Sequence, residues 1–230
     1  MEKMEKINIP TRFFQKPTSE EVFAQWEREE RELEEFKNRK SYKLVLPEGY
    51  VNNNKVITDD IIKELKNEKG DRAFLFAGGV GSGKTYLSHI ISDCMIPDRF
   101  RSSEQFKYDN AYELWEFVKH CYSTNKSVEN EVNFSRFYVL DDLGAEDNTD
   151  ASRSFFHNHL LRMYSRWKGG GFKLLIVNMN IGFEQIKERY TARVESRFYE
   201  MFKLYRFADK DFRRDKMRLI SNLKKNSNNP

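Results

Sequence analysis

Gly78-Gly79-Val80-Gly81-Ser82-Gly83-Lys84-Thr85 reads G-x-x-x-x-G-K-T, the spacing of a phosphate-binding loop. Its glycines reach backbone conformations closed to other residues, so successive N–H groups turn inward on one anion. Lys84 supplies a positive charge for the outer phosphates of a nucleoside triphosphate, and the Thr85 hydroxyl is a hard oxygen ligand suited to Mg²⁺. Tyr86 follows directly, at the start of a helix whose positive dipole end faces the same phosphates.

The flanking sequence has the order such a loop requires. Ala73-Phe74-Leu75-Phe76-Ala77 is a short apolar run suited to a buried parallel strand. Beyond the loop, Tyr86, Leu87, Ile90, Ile91 and Cys94 recur at helical spacing. Strand, glycine loop and helix therefore follow one another, and residues 78–86 are assigned to nucleotide binding.

Further along, Phe137-Tyr138-Val139-Leu140-Asp141-Asp142 is an apolar strand ending in two carboxylates, the Walker B pattern. Asp141 is the Mg²⁺-side acid, acting through coordinated water, and Asp142 is placed one residue on to polarise an attacking water. Gln105–Tyr108, Leu174–Val177 and Phe202–Phe207 read as further strands, and Ser123–Asn133 as a loop. Helices carry Ala111 to Cys121 and Phe155 to Tyr164, the latter stopped by Gly169-Gly170-Gly171. Strands alternating with helices specify an α/β fold with a parallel five-stranded sheet covered on both faces. A strand between the loop unit and the Walker B strand is the additional-strand arrangement of P-loop NTPases. That disfavours a small-molecule kinase, as do the some seventy residues preceding the loop.

Upstream, Thr18 and Glu21 resemble a capping box opening a charged helix, with Val22, Phe23, Trp26, Leu33 and Phe36 on one face. That face either packs on the core or docks a partner protein, with Phe13, Phe14 and Trp26 as anchors. Leu44–Tyr50 and Asn52-Asn53-Asn54 read as a linker or turn. A second helix is expected over Thr58–Lys69, capped by Thr58 or Asp59. Three segments result: a helical N-terminal arm (1–50), a core (51–215) and a basic polar tail (216–230).

Composition sets looser bounds. Forty Lys and Arg against thirty-six Asp and Glu give a net charge of +4, which permits nucleic-acid binding without demanding it. Cys94 and Cys121 form no metal or redox spacing. The charged start leads into no apolar stretch, and no run approaches the ~18 apolar residues of a membrane span. A soluble, cytoplasmic chain is expected.

Several landmarks together resemble the DnaC/IstB-like family of AAA+ ATPases, the bacterial and phage helicase loaders and transposition helpers. They are Gly83–Leu87, Val139-Leu140-Asp141-Asp142-Leu143-Gly144-Ala145-Glu146, Ile176–Asn180, Arg193-Val194-Glu195-Ser196-Arg197-Phe198 and Asp211-Phe212-Arg213. The resemblance covers roughly residues 45–215. It implies that Asn180, with Asn178 as the alternative, is the sensor-1 residue at the γ-phosphate or attacking water. Arg197, assisted by Arg193, matches the arginine finger acting on the ATP of a neighbouring subunit. The short stretch after Arg197 implies a truncated or absent lid, with Arg213 as a sensor-2 substitute. The arm lacks the Cys cluster of loaders that carry a zinc-binding domain, and Asp142 stands where many relatives have Glu.

The function implied is an ATP-dependent loader of a replicative helicase onto single-stranded DNA in replication initiation. The arm would bind helicase, and hydrolysis would act as a release step. Two rivals share these motifs: a transposition helper ATPase, and a nucleotide-gated protein that inhibits host replication. The surface after the second strand (Lys107, Lys119 and Lys126, interleaved with Tyr108, Trp115 and Tyr122) is the expected DNA contact.

Overall fold

The computed structural model describes residues 48–67, 72–96, 105–208 and Asp211, together with Ala24, Glu27, Arg28 and Arg31. The chain divides into two units, 1–41 and 42–230. In the first, the four described residues are helical. Its proposed anchors, the basic tail and Arg213 lie outside the described residues.

The second unit is built on five parallel strands: β1 (Ala73–Ala77), β2 (Phe106–Asn110), β3 (Phe137–Leu143), β4 (Leu174–Met179) and β5 (Lys203–Arg206). Their order is β2-β3-β4-β1-β5, so β4 lies between the strand that feeds the glycine loop and the strand that ends in Asp141. Among the described residues seven helices accompany it: α1 (Glu48–Lys66), α2 (Lys84–Met95), α3 (Ala111–Ser123), α4 (Val128–Glu131), α5 (Asp150–Lys168), α6 (Gln185–Arg189) and α7 (Ala192–Met201).

Every residue of β1 and β4 is buried, as expected of strands covered on both faces. Alternation sorts their side chains. Ala73, Leu75 and Ala77 join Tyr138, Leu140, Leu175 and Val177 against Trp115 and Val118 of α3, Phe156 and Leu160 of α5, and Phe198 of α7. Phe74 and Phe76 face the other way, packing on Tyr205 with ring centroids 6.0 and 5.9 Å apart. There α1 closes the sheet, since Asp60 accepts from the Tyr205 hydroxyl at 2.8 Å. Each fully buried Phe or Leu stabilises this arrangement by roughly 1.5–3 kcal/mol.

Three local expectations are corrected. The Asn52-Asn53-Asn54 run is not a linker; α1 passes through it and kinks at Asn54 (φ −126°, ψ 21°). Thr58 is accordingly no N-cap, and its hydroxyl donates to the Asn54 carbonyl one turn back at 3.0 Å. Within Ser123–Asn133, residues 128–131 form the single turn α4.

His159 of α5 is 1% exposed and ringed by Phe134, Tyr138, Phe155 and Phe156. Burial, reinforced by the charges of Arg162 and Lys107, holds its imidazole down at about 3. Between the ordinary histidine value near 6.5 and that value, the unfolded chain binds a proton that the folded chain refuses. Stability therefore falls as pH falls through this window, by ~1.4 kcal/mol per pH unit at most. Denaturant midpoints at pH 6.5 and pH 5 are expected to separate by about 2 kcal/mol more in the native chain than in His159→Phe. Equal pH dependence in the two proteins would refute the assignment.

Candidate nucleotide site

The glycine loop leaves β1 at the carboxyl edge of the sheet, where ligands bind in α/β folds. Gly78 (φ 154°) has no room for a side chain: a Cβ there would meet the Phe207 carbonyl oxygen at 2.8 Å. At Gly81 (φ 79°) a Cβ would fall 2.1 Å from Asp211 Oδ1, so Asp211 lies against the loop. Gly83 (φ 97°) turns the chain into α2. Ser82 is buried, whereas Val80 at the tip and Tyr86 in the first turn of α2 are exposed.

Lys84 is only 4% exposed. Its ammonium donates to the Gly78 carbonyl at 2.7 Å and the Gly79 carbonyl at 2.9 Å, with Ser82 Oγ at 3.5 Å. One turn on, Ser88 donates to Asn178 Oδ1 at 2.9 Å and to the Lys84 carbonyl at 3.1 Å.

Asp141 is the hub on the opposite side. Its Oδ1 accepts from Thr85 Oγ1 at 3.1 Å, Asn178 Nδ2 at 2.8 Å and the Asp142 amide at 3.0 Å. Its Oδ2 accepts from the Tyr108 hydroxyl. Thr85 and Asp141 thus bring a hydroxyl and a carboxylate to one point beside the loop. That hard-oxygen pair fits Mg²⁺, which uses few protein ligands and keeps several waters. Tyr108 is pushed well above the ordinary tyrosine value, by burial first and by Asp141 second, so it serves as a donor throughout.

Asp142 sits where β3 shifts register between Leu140 and Leu143, in the left-handed region at φ 55°. Aspartate tolerates this conformation better than most residues. Its Oδ1 accepts from Asn180 Nδ2 at 2.7 Å and its Oδ2 from Asn110 Nδ2 at 3.1 Å. The two asparagines of β4 and its exit therefore divide their work. Asn178, fully buried, braces Asp141 against α2, while Asn180 reaches Asp142.

Sequence reasoning overlooked Asn110, whose register partner is Asp141. Its Oδ1 also accepts the Tyr112 and Glu113 amides as the N-cap of α3, a cap signal that the sequence did carry. The expected DNA-stacking surface is corrected in part. Tyr108 lies inside the site, stacked on His89 at 4.7 Å, and Trp115 is 3% exposed in the core. Lys107 pairs with Asp109, and Lys119 with Glu116 and Asp147.

The two arginines stand apart from these groups. Arg197 lies over the Tyr164 ring at 4.6 Å and donates to Glu200 at 3.1 Å. Arg193 is exposed one turn earlier on α7. Among the described residues, neither is bonded to the glycine loop, Asp141 or Asp142 of its own chain.

A glycine loop after β1, an acid at the end of β3 and β4 between them make the additional-strand arrangement of a P-loop α/β fold. No protein-family profile matches the sequence, and no curated protein matches it. Among solved structures, "Crystal structure of the DnaC helicase loader" aligns at TM-score 0.53 and 21% identity, covering 72% of this chain and 94% of that one. "Structure of AMPPCP-bound DnaA from Aquifex aeolicus" aligns at 0.53 and 15%, covering 74% and 50%. "Replication initiator DnaA bound to AMPPCP and single-stranded DNA" aligns at 0.51 and 15%, with the same coverage. The chain thus spans nearly all of the DnaC structure and half of each DnaA structure. At these identities the likeness establishes the fold that the chain shares with these structures.

Proposed function

We propose that this chain is an ATPase that loads a replicative helicase onto single-stranded DNA during replication initiation. The observation that carries the reading is the two assembled pairs Thr85–Asp141 and Asp142–Asn180 beside the loop, on a fold shared with 94% of the chain in the helicase-loader structure. In this reading residues 78–86 cradle ATP, with Lys84 at the outer phosphates. Thr85 and Asp141 hold Mg²⁺, which when bound neutralises charge between the β- and γ-phosphates. Asp142 polarises the attacking water and Asn180 orients it.

Arg197, assisted by Arg193, completes the site of the adjacent subunit, in keeping with its lack of contact with its own. Residues 1–50 dock the helicase, and the assembled core contacts single-stranded DNA. Hydrolysis is slow, stimulated by DNA or assembly, and releases the helicase.

The test is co-elution with the replicative helicase of the same organism in ATP and Mg²⁺. Full-length chain is expected to co-elute, and a chain lacking residues 1–45 to elute alone. Failure of both to bind, with a transposase captured instead, would replace the loader reading with that of a transposition helper.

A further inference from the structure

Glu146 lies four residues past Asp142, in the turn leaving β3, and its side chain is 1% exposed. Three donors converge on that carboxylate. The Gly144 amide donates to Oε2 at 2.8 Å, while Arg189 Nε at 2.8 Å and the Tyr190 hydroxyl at 2.5 Å donate to Oε1. Arg189 Nη2 also donates to the Glu146 carbonyl at 2.5 Å. All of these groups belong to two places only: the turn after Asp142, and the junction between α6 and α7.

That junction is unusual in its own right. Thr191, the N-cap of α7, holds φ at 140°, a conformation that costs a β-branched residue about 1–3 kcal/mol. It persists because its neighbours are pinned. Tyr190 is 2% exposed, and its carbonyl meets His157 Nδ1 of α5 at 3.0 Å. On the other side, Gly144 (φ 99°) lets the turn close on Ile181, where a Cβ would come within 2.6 Å of Ile181 Cγ2. The Ala145 amide closes the same turn on the Asp142 carbonyl at 2.9 Å. Asp142 and the start of α7 are thus joined through one buried carboxylate.

A buried ion pair is an inefficient way to gain stability, because desolvation offsets most of its attraction and apolar side chains would serve as well. What it adds is direction, since three donors fix one orientation.

Resting on the reading that Arg197 acts on the neighbouring subunit, we infer that Glu146 is a positioning residue that sets α7, and with it Arg193 and Arg197, in register with the subunit's own Asp142. Each subunit's hydrolytic carboxylate and the arginines it lends are then held as one unit. Removing Glu146 impairs the arginines given to the neighbour, while the subunit's own site remains usable.

Mixing separates this from a structural role. Glu146→Gln keeps the size of the side chain but loses the charge that gathers the donors. Alone it is expected to lose ATPase activity by about 10²-fold, the effect of an ångström-scale misplacement, with fluorescent ATP binding retained. Asp142→Asn alone is also inactive, yet keeps an intact α7. Mixed one to one, the two are expected to recover to about a quarter of native activity, the share of random interfaces pairing a sound site with sound arginines.

Arg197→Ala mixed with Asp142→Asn is the companion experiment. Recovery in both mixtures supports the inference. Recovery only in the Arg197→Ala mixture overturns it, leaving the trans arginine intact. Recovery in neither removes the trans arginine and the inference together. If Glu146→Gln does not melt cooperatively, Tyr190→Phe takes its place, because it keeps the buried ring and deletes one of the three donors.

Discussion

Lys84→Ala is expected to abolish nucleotide binding, weakening ATP affinity by at least ~10²–10³-fold, or about 3–4 kcal/mol. Two losses combine. The triphosphate loses a charge-assisted partner in a shielded site, where such bonds are about twice as strong as neutral ones. The loop also loses its internal tether, since the ammonium bonds the Gly78 and Gly79 carbonyls. Those carbonyls flank the very amides that should turn toward phosphate. Titration with a fluorescent ATP analogue reads the effect directly. An affinity within threefold of the native chain would show that residues 78–86 are not the nucleotide site.

Asp142→Asn should do the reverse, with turnover falling ~10²–10⁴-fold while ATP binding is retained. Asparagine tolerates the left-handed backbone that Asp142 adopts, so the end of β3 keeps its course. What it cannot do is offer two acceptor oxygens, and Asn180 and Asn110 each donate to a different one. One partner is left facing an N–H group, and the negative charge proposed to polarise water is gone. Single-turnover hydrolysis with bound ATP is the measurement. A rate within tenfold of native would transfer the role of Asp142 elsewhere. Together the two variants divide binding from chemistry along the line between α2 and β3.

The elements that were legible in the sequence are those whose cause is local. Glycines at fixed offsets, an apolar run before them and acids after another run announced β1, the loop and β3 without any tertiary knowledge. The run at Asn52–Asn54 misled because asparagine is a weak helix former, yet Asn54 is buried and its carbonyl takes the Thr58 hydroxyl where α1 kinks. Tyr108 and Trp115 had a spacing that suits either a binding face or a core, and only their placement against Asp141 and Phe155 decides. Asn110 and Glu146 were harder still. Their partners are 32 and 43–44 residues away, so their meaning lies in register and topology, to which a spacing argument is blind.

Asn110 illustrates what such sharing imposes on a lineage. The same short amide begins α3 with its oxygen and steadies Asp142 with its nitrogen. Serine would keep the helix start and abandon the acid. Aspartate would keep the start and set a second negative charge against the first. Alanine would forfeit both. On the proposed reading, any drift in ATP turnover is therefore channelled away from position 110 and toward positions that answer to one demand alone. A site with fewer doubly employed residues would have more routes along which to change its tempo.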